Sequence, residues 1–468
     1  LNENLLTYTY NYLDKHNLKI MLGLSFQKDQ SFNNKGKAMN GPNDKIHYVG
    51  AGWGGANGLN NTGTAADPFY VSAFEYSSGF SEERMNSYFG RLTYNYKEKY
   101  LFEATLRRDG SSVFGEDVRW ATFPSIAVGW TFSDEKFMKP FYWLSFGKIR
   151  ASWGVSGQKF SQRYLSQGLL SANGTTFHGD IAMFPDIRGG VINKKLSWEE
   201  TNQYDLGFDL SFLDYRLRLV IDYYYRYTKG QLNQISLPGD IYYHQFQWQN
   251  GMAISNQGLE LELEADILRH TAVKWKMKFN ASRNWNRFEK SADGFDFMEQ
   301  VIGKPLHQIK VFKTDGFYNS LDEVPVYYLA NKEVQPLYSG ITAGIYLPGS
   351  RRLVDLNGDG RITEDADVYF AESPLPLAHG GFINQLRWKN FDLNIFFNYS
   401  LGRHIVKVYD DVSMTANGSA KPLFVDVNDV KIWTEAGSKA DYPKSQVYAY
   451  LMNQTSGRYD CDIESVSF

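Results

Sequence analysis

The sequence predicts an all-β protein, a transmembrane antiparallel β-barrel, and three observations carry this prediction. Long stretches alternate between apolar and polar residues, short turns alternate with long segments rich in glycine and asparagine, and 16% of the residues are aromatic. Outer-membrane barrels combine these features, because alternate residues of each strand face lipid and aromatic girdles mark both membrane interfaces. The mean hydropathy of −0.43 is compatible with a barrel, since only every second residue of a strand has to be apolar.

The alternation is clearest in three runs, at residues 204–212, 217–227 and 391–399. In each run tyrosine, phenylalanine, leucine or isoleucine occupies every second position, and mainly polar residues occupy the others. Each run lasts about ten residues, which is the length of a tilted membrane strand. Strands of soluble proteins average about 5–6 residues. The runs therefore favour strands that cross a membrane.

The connections between the predicted strands are of two kinds. Tight turns are predicted at residues 14–17, 97–99, 214–215 and 388–390, and long extracellular loops near 29–68, 158–197, 319–377 and 401–460. Short turns at one end and long loops at the other are typical of outer-membrane barrels. We count roughly fourteen candidate strands, and we interpret residues 1–468 as part of one barrel domain.

Composition excludes several other classes of protein. Cys461 is the only cysteine, so the sequence has neither a disulfide framework nor a cysteine zinc cluster. The net charge of −3 is dispersed along the chain, which argues against a nucleic-acid partner, because such partners require a basic patch. A helical span would need about 20 consecutive apolar residues, and none is present. The chain opens inside a predicted strand with no export signal, so we expect an N-terminal part to precede it.

One hairpin allows a prediction of register. Three glutamates alternate with leucines before a turn, and three lysines alternate with apolar residues after it: Glu260, Glu262, Glu264, Lys274, Lys276 and Lys278. An antiparallel register centred near Arg269 pairs Glu264 with Lys274 and continues the ladder outward in steps of two. The charged ladder would then line the barrel lumen while leucines and aromatics meet lipid. The alternative is the ordinary charged face of a soluble hairpin.

Two series of motifs carry a family resemblance. The first, within residues 88–157, includes Arg-Arg-Asp-Gly-Ser-Ser at 107–112 and Lys-Ile-Arg-Ala-Ser-Trp-Gly at 148–154. The second begins with Asp-Leu-Asn-Gly-Asp-Gly-Arg-Ile-Thr at 355–363 and continues with Gly-Gly-Phe at 380–382. In this order the motifs strongly resemble the SusC/RagA family of TonB-dependent outer-membrane transporters. The resemblance covers most of the predicted strands, and the long loops match only in position.

This resemblance implies a barrel of about 22 strands around a plug, in the outer membrane of a Gram-negative bacterium. It implies active import of an oligosaccharide or peptide, energised by the TonB–ExbB–ExbD complex and assisted by a SusD-like surface lipoprotein. Outer-membrane lipid would surround the barrel. The plug, the TonB box and the final strands are not found in this sequence and are expected outside it. The competing hypothesis is a soluble or surface-attached all-β protein that binds glycans, which membrane partition would distinguish.

The motif at 355–363 has the spacing of an EF-hand calcium loop. Asp355, Asn357 and Asp359 occupy positions 1, 3 and 5, and Arg361 would supply its backbone carbonyl at position 7. Position 12 is Ala366, so Asp367 would have to close the site in a shifted loop. The sequence thus predicts a weak Ca²⁺ site. The alternative is a loop held by Asx turns, in which these side chains bond their own backbone.

The other candidates have weaker support. The trio Arg107, Arg108 and Asp109 is interpreted as a structural cluster at a strand end, with Arg107 pointing inward beside Glu103 and Thr105, rather than as a ligand site. Loop aromatics either stack on sugars, pack against a lid protein or pack on one another: Trp53, Tyr242, Tyr243, Phe246 and Trp248. No catalytic motif of a protease, hydrolase or nucleotide-binding enzyme occurs in the required context. We therefore predict no enzyme activity.

Overall fold

A computed structural model of the chain describes residues 1–13, 15–38, 74–166, 170–177, 180–185, 190–238, 246–297, 300–328, 334–339, 344–406, 431, 433–440 and 463–466. Within them twelve strands form one large sheet. Their bounds are β1 Asn2–Tyr12, β2 His16–Ala38, β3 Phe74–Tyr96, β4 Tyr100–Ser111, β5 Trp120–Thr131, β6 Leu144–Gln158, β9 Glu199–Phe212, β10 Leu217–Ser236, β11 Phe246–Leu268, β12 Val273–Lys290, β22 Ala378–Trp388 and β23 Phe391–Leu401. Each strand is hydrogen-bonded to the next in this order.

Shorter elements lie between these strands. Two short antiparallel pairs join β7 (Leu170–Phe177) with β8 (Asp180–Pro185) and β24 (Arg403–Val406) with β25 (Ile463–Val466). In its described residues, the segment between β12 and β22 carries nine more strands: β13 Lys310–Phe312, β14 Thr314–Phe317, β15 Val326–Tyr328, β16 Val334–Pro336, β17 Tyr338–Ser339, β18 Gly344–Ile345, β19 Arg351–Leu353, β20 Arg361–Ile362 and β21 Val368–Phe370. Short 3₁₀ helices span Glu116–Val118, Phe132–Asp134, Lys136–Met138 and Leu321–Glu323. Of the described residues, none form a helix both long and apolar enough to cross a membrane.

The chain divides into two compact units. Unit 1 comprises residues 1–132, 150–205 and 226–253, and unit 2 comprises residues 133–149, 206–225 and 254–468.

In unit 1 the antiparallel registers separate the residues of the first five strands into two faces. On one face a row of aromatic rings and one imidazole crosses all five strands at the short-turn end: Tyr12, His16, Tyr96, Tyr100 and Trp130. We call this the proximal row. Eight residues farther along β3, Tyr88 pairs with Leu24 and Arg108, and its ring lies close to those of Phe26 and Trp120; these three rings form the distal row.

Leucine, isoleucine, valine and phenylalanine occupy most of the positions between the rows, and we call this side the apolar face. From Tyr88 to Tyr96 there are nine residues, which matches the 9–11 residues of a tilted strand across a membrane. The opposite side, the polar face, carries Lys19, Arg91, Glu103, Arg107 and Asp109. The two faces are those that a membrane barrel strand presents to lipid and to its lumen.

Unit 2 repeats this separation on β12, β22 and β23. Phe279 pairs with Phe382, which pairs with Phe397, and the Phe279 ring stacks on Tyr399 at a centroid distance of 6.0 Å. Lys274, Arg387 and Asp392 share the other face. The alternation predicted for residues 391–399 is therefore confirmed.

The tight turns predicted at 97–99, 214–215 and 388–390 lie where the sequence predicts them, whereas Asp14 of the turn predicted at 14–17 lies outside the described residues and His16 already begins β2. Lys97 and Glu98 have φ values of 54° and 57°, and Asp214, Tyr215 and Lys389 are likewise left-handed. Successive residues with positive φ match the right-handed twist of the strands that a short hairpin joins. The backbone N–H of Glu98 is bonded to the side chain of Asn95 at 2.7 Å, which stabilises the turn locally.

Each of the predicted long loops includes strand residues, such as β7 and β8 within 158–197 and β15 to β21 within 319–377. The first was predicted from residue 29, but β2 continues to Ala38 and pairs with β3 as far as Phe74. Gln30 and Lys28 both contact Glu82 across the two strands, so polar side chains bond along a ladder that extends beyond the distal row. The count of roughly fourteen strands compares with twelve in the main sheet of the described residues.

Candidate functional site

The polar face of unit 1 carries a cluster of charged side chains at its distal end. Arg107 donates from Nε to both carboxylate oxygens of Asp109 at 2.8 and 2.7 Å, and from Nη2 to Ser87 Oγ at 2.9 Å. Phe89, across from Arg107 on β3, lies under the guanidinium at 5.4 Å. Asp109 is 5% exposed, so Arg107 supplies the opposite charge that a buried carboxylate requires. The structure confirms the interpretation of Arg107 and Asp109 as a strand-end cluster with Arg107 on the same face as Glu103 and Thr105.

The inclusion of Arg108 in this cluster is wrong, because Arg108 pairs with Tyr88 and lies on the apolar face. Its guanidinium lies 5.7 Å from the centre of the Trp120 ring. Gly110 pairs with Trp120 in the sheet, and a β-carbon at Gly110 would come within 2.7 Å of that ring. The motif at 107–112 therefore places one arginine on each face and leaves room for the tryptophan.

A second part of the cluster was not predicted from the sequence. Glu83, 6% exposed, is bonded by Lys159 and lies 3.5 Å from Arg163 Nε. Arg163 also bonds Ser81. These residues lie about 80 positions apart in the chain, and only the pairing of distant strands brings them together. Together with Arg107 and Asp109 they form what we call the polar cluster. It comprises two bonded groups: Arg107 with Asp109, and Lys159 and Arg163 with Glu83.

An aromatic cluster packs on the same face, beside the polar cluster. It consists of Val113, Phe114, Phe123, Phe160, Leu196 and Trp198. Phe123 pairs with Arg107 in the sheet, so the aromatic cluster covers the polar face where the charged side chains end. The segment before β9 contributes Leu196, which lies within the predicted loop at 158–197, and Trp198, which follows that loop. The distal polar face is thus filled with packed side chains.

In unit 2 the glutamate–lysine ladder forms with a different register. Lys276 and Lys278 both bond Glu264, the latter at 2.8 Å, whereas the sequence predicted Lys274 as its partner. The predicted pairing of Glu264 with Lys274 is therefore wrong; the turn itself comprises residues 269–272, between the ends of β11 and β12. Arg269 Nη1 donates to the carbonyl of Asp214 at 2.9 Å, which anchors this turn. The lysines lie on the face opposite Trp275, Met277 and Phe279, as predicted.

The loop with calcium-like spacing bonds its own backbone. Asp355 accepts hydrogen bonds from the N–H of Gly358 at 2.7 Å and of Gly360 at 2.8 Å. Burial alone would raise the pKa of Asp355, but the bonds from Gly360, the Tyr327 hydroxyl and Gly358 outweigh burial and lower it. Asp359 accepts from the N–H of Arg361 at 2.8 Å, and Asn357 accepts from Asp359 N–H at 3.0 Å and donates to the Asp359 carboxylate at 2.9 Å.

Asp367 closes this loop as a structural residue. It is fully buried, and its two oxygens accept from the backbone N–H of Leu356 at 2.9 Å and of Thr363 at 2.7 Å. It thereby connects both ends of the loop to the core formed by Phe312, Tyr318, Val324, Leu337, Tyr346, Leu353 and Ile362. In the described part of the chain, no three His, Cys, Asp or Glu side chains are grouped so that they could hold a metal ion. The residues bond as an Asx-turn loop does.

Calcium binding at this loop stays a prediction. We expect a dissociation constant no tighter than about 10⁻⁴ M, the range of weak extracellular modules, because Asp355 and Asp367 already accept backbone N–H bonds. Calorimetric titration of the purified protein with CaCl₂ measures it, with Asp359→Asn as the variant that should abolish any heat. A micromolar dissociation constant that Asp359→Asn removes would contradict the expectation of a weak site.

The loop aromatics are only partly described. Trp53, Tyr242 and Tyr243 lie outside the described residues. Phe246 begins β11 and contacts Gly190, and Trp248 packs against the aromatic cluster while its carbonyl accepts a bond from Asn193 at 2.9 Å. Of the three roles considered, these two aromatics pack within the protein.

Comparison with known proteins defines the class. The family described as "TonB dependent receptor-like, beta-barrel" matches residues 2–418, so this is an outer-membrane β-barrel. The chain belongs to that family. It is 31% identical over 454 residues to TonB-dependent receptor P3 of Formosa agariphila, covering 96% of this chain and 42% of that protein. It is also 28% identical over 366 residues to TonB-dependent receptor SusC of Bacteroides thetaiotaomicron, covering 76% of this chain and 35% of that protein.

Solved structures agree with this fold. The RagAB peptide importer in its "closed-closed" state superimposes with a TM-score of 0.73 at 19% identity, over 99% of this chain and 47% of that chain. The chain spans less than half of the length of these relatives. Since relatives in this family are receptors and transporters, the prediction of no enzyme activity is confirmed at the level of the family.

Proposed function

We propose that the protein imports an oligosaccharide or a peptide across the outer membrane, driven by the TonB complex. The main support is the sheet of this chain, which belongs to the TonB-dependent receptor family. One face of the sheet is apolar and bounded by two aromatic rows, and the opposite face carries charged side chains that form ion pairs. An apolar face of this height suits lipid, and the opposite face suits a hydrated passage. Neither the polar cluster nor the ladder pairs a nucleophile with a base, which supports passage rather than chemistry.

A SusD-like surface lipoprotein is proposed as the partner at the extracellular end, and the TonB–ExbB–ExbD complex as the source of energy. Support for the lipoprotein comes from the likeness to SusC and to the RagAB importer. The long segments between the strands, which include the compact core around Tyr318, offer folded surface for it at the end opposite the short turns. Both partners are proposed for the whole protein, because the chain spans less than half of the length of its relatives.

Uptake in cells tests the proposal. Cells that produce the whole protein should accumulate either labelled oligosaccharides or labelled peptides, and uptake should stop when TonB or the SusD-like lipoprotein is deleted. Uptake of a monosaccharide or amino acid small enough for general pores is the control and should not change. Uptake of both large classes that persists without TonB would refute active import. Recovery of the protein as a detergent-free soluble monomer would favour the glycan-binding alternative.

A further inference from the structure

A groove opens on the apolar face of unit 1 around Gly90. Gly90 pairs with Leu22 on one side and Leu106 on the other, so the missing side chain leaves a gap between two leucines. The groove has a volume of about 720 Å³, and Leu6, Leu24, Tyr88 and Arg108 also line it. Leu6, Leu22 and Leu106 are 68%, 55% and 57% exposed. A branched or straight hydrocarbon chain fits such a surface, because leucines offer no hydrogen bonds.

The groove ends at the distal aromatic row. Tyr88 and Arg108 pair directly in the sheet, and the Tyr88 ring stacks on Trp120 at 5.8 Å with an interplanar angle of 28°. Short turns of outer-membrane barrels are periplasmic, so the distal row lies at the extracellular interface. A chain in the groove would therefore belong to a lipid of the outer leaflet, with its headgroup beside Arg108.

The charged group at this end of the groove is the exposed guanidinium of Arg108. Arg108 is exposed, and its guanidinium lies over the ring of Trp120. Arg107 differs, since Asp109 neutralises it on the other face. A guanidinium that rests on an aromatic ring is oriented, and its planar donors match the oxygens of a phosphate.

We propose that the Gly90 groove binds a phosphorylated lipid of the outer leaflet. One acyl chain lies along Leu6, Leu22 and Leu106, and a phosphate oxygen pair accepts from the Arg108 guanidinium. The site is separate from the transport path, since it lies on the face opposite the polar cluster.

Native mass spectrometry of the purified whole protein with added diphosphoryl lipid A tests this assignment. Arg108→Gln should lower lipid A retention about tenfold, as expected for one charge-assisted contact. Gly90→Leu should remove most of the retained lipid without changing the charge, because the new side chain fills the groove. A β-carbon at position 90 would lie 3.3 Å from Leu22 Cδ2, and the flexible Leu22 side chain can move aside to accommodate it. Arg108→Lys should retain more lipid than Arg108→Gln.

The matched control is Lys97→Gln. Lys97 Nζ lies 5.0 Å from the Tyr96 ring in the proximal row, so it is a cation over an aromatic ring at the opposite interface, and its loss should not change retention. Equal retention in all variants, equal binding of dephosphorylated lipid A, or displacement by millimolar inorganic phosphate alone would overturn the proposal. Each variant is accepted only if it shows the folded, heat-sensitive gel band, and Gly90→Ala replaces Gly90→Leu if that variant does not.

Discussion

Trp198→Ala is expected to lower the free energy of unfolding by about 3–5 kcal/mol. Trp198 is 6% exposed, and its ring packs on Phe114 at 4.7 Å and on Phe123 at 5.5 Å. Its Nε1 donates to the carbonyl of Arg119 at 3.1 Å. The substitution would therefore leave a large cavity in the aromatic cluster and remove one of the two hydrogen bonds to the Arg119 carbonyl, which also accepts from the Ser111 N–H at 3.2 Å. Urea titration of the refolded protein in micelles, followed by the heat-sensitive gel band, measures the change.

Phe295→Ala is the control for the loss of an aromatic ring. Phe295 is 74% exposed, and its backbone N–H rather than its ring bonds Asp293. We expect a change within about 0.5 kcal/mol, as for surface substitutions in general. If Trp198→Ala were as mild as Phe295→Ala, the aromatic cluster would not be a core of the folded protein.

The sequence predicts the faces and turns of the sheet because both depend on local chemistry. Period-two alternation places Phe391, Leu393 and Ile395 on one side whatever their partners are. The turn at Lys97 and Glu98 depends on residues adjacent in sequence, such as Asn95, whose side chain accepts from the Glu98 N–H. The inward position of Arg107 follows for the same reason, since it needs only the parity of β4. The calcium-like spacing at 355–363 is local as well, and so is its bonding, because Asp367 accepts from the backbone of Leu356 and Thr363 within the same segment.

Contacts that depend on register between distant segments could not be predicted. Glu83 meets Lys159 only when β3 and the end of β6 occupy their places in the sheet, and no motif marks either residue. The ladder partner of Glu264 differs from the prediction because the sequence does not fix how many residues the turn at 269–272 contains. Trp198 lies in an irregular segment before β9, where neither alternation nor a turn signal indicates burial. A side chain in such a segment is buried only by packing against strands that are distant in sequence.

Asp109→Ala is expected to destabilise the protein by about 2 kcal/mol. Removing one partner of a fully buried ion pair costs about 3–5 kcal/mol, but the Arg107 side chain is 41% exposed, so water screens part of the charge that remains. The variant would also release Ser87 Oγ and Phe89 from the position that Arg107 fixes. Asp109→Asn keeps the shape and one acceptor oxygen, so we expect about half of the effect. The same urea titration measures both variants.

The matched control is Asp392→Ala, which removes a carboxylate from an exposed pair. Arg387 and Asp392 lie 3.4 Å apart with 67% and 62% of their side chains exposed, so the loss should be about 0–1 kcal/mol. Both alanine variants remove one aspartate that pairs with one arginine on a polar face. The difference between their losses of stability therefore measures the effect of burial on the ion pair. Equal effects would mean that Asp109 acts only as a surface charge and that the motif at 107–112 has another structural basis. A larger effect at Asp109 would identify the arginine–aspartate pair as the feature that holds the distal end of β4 against β3.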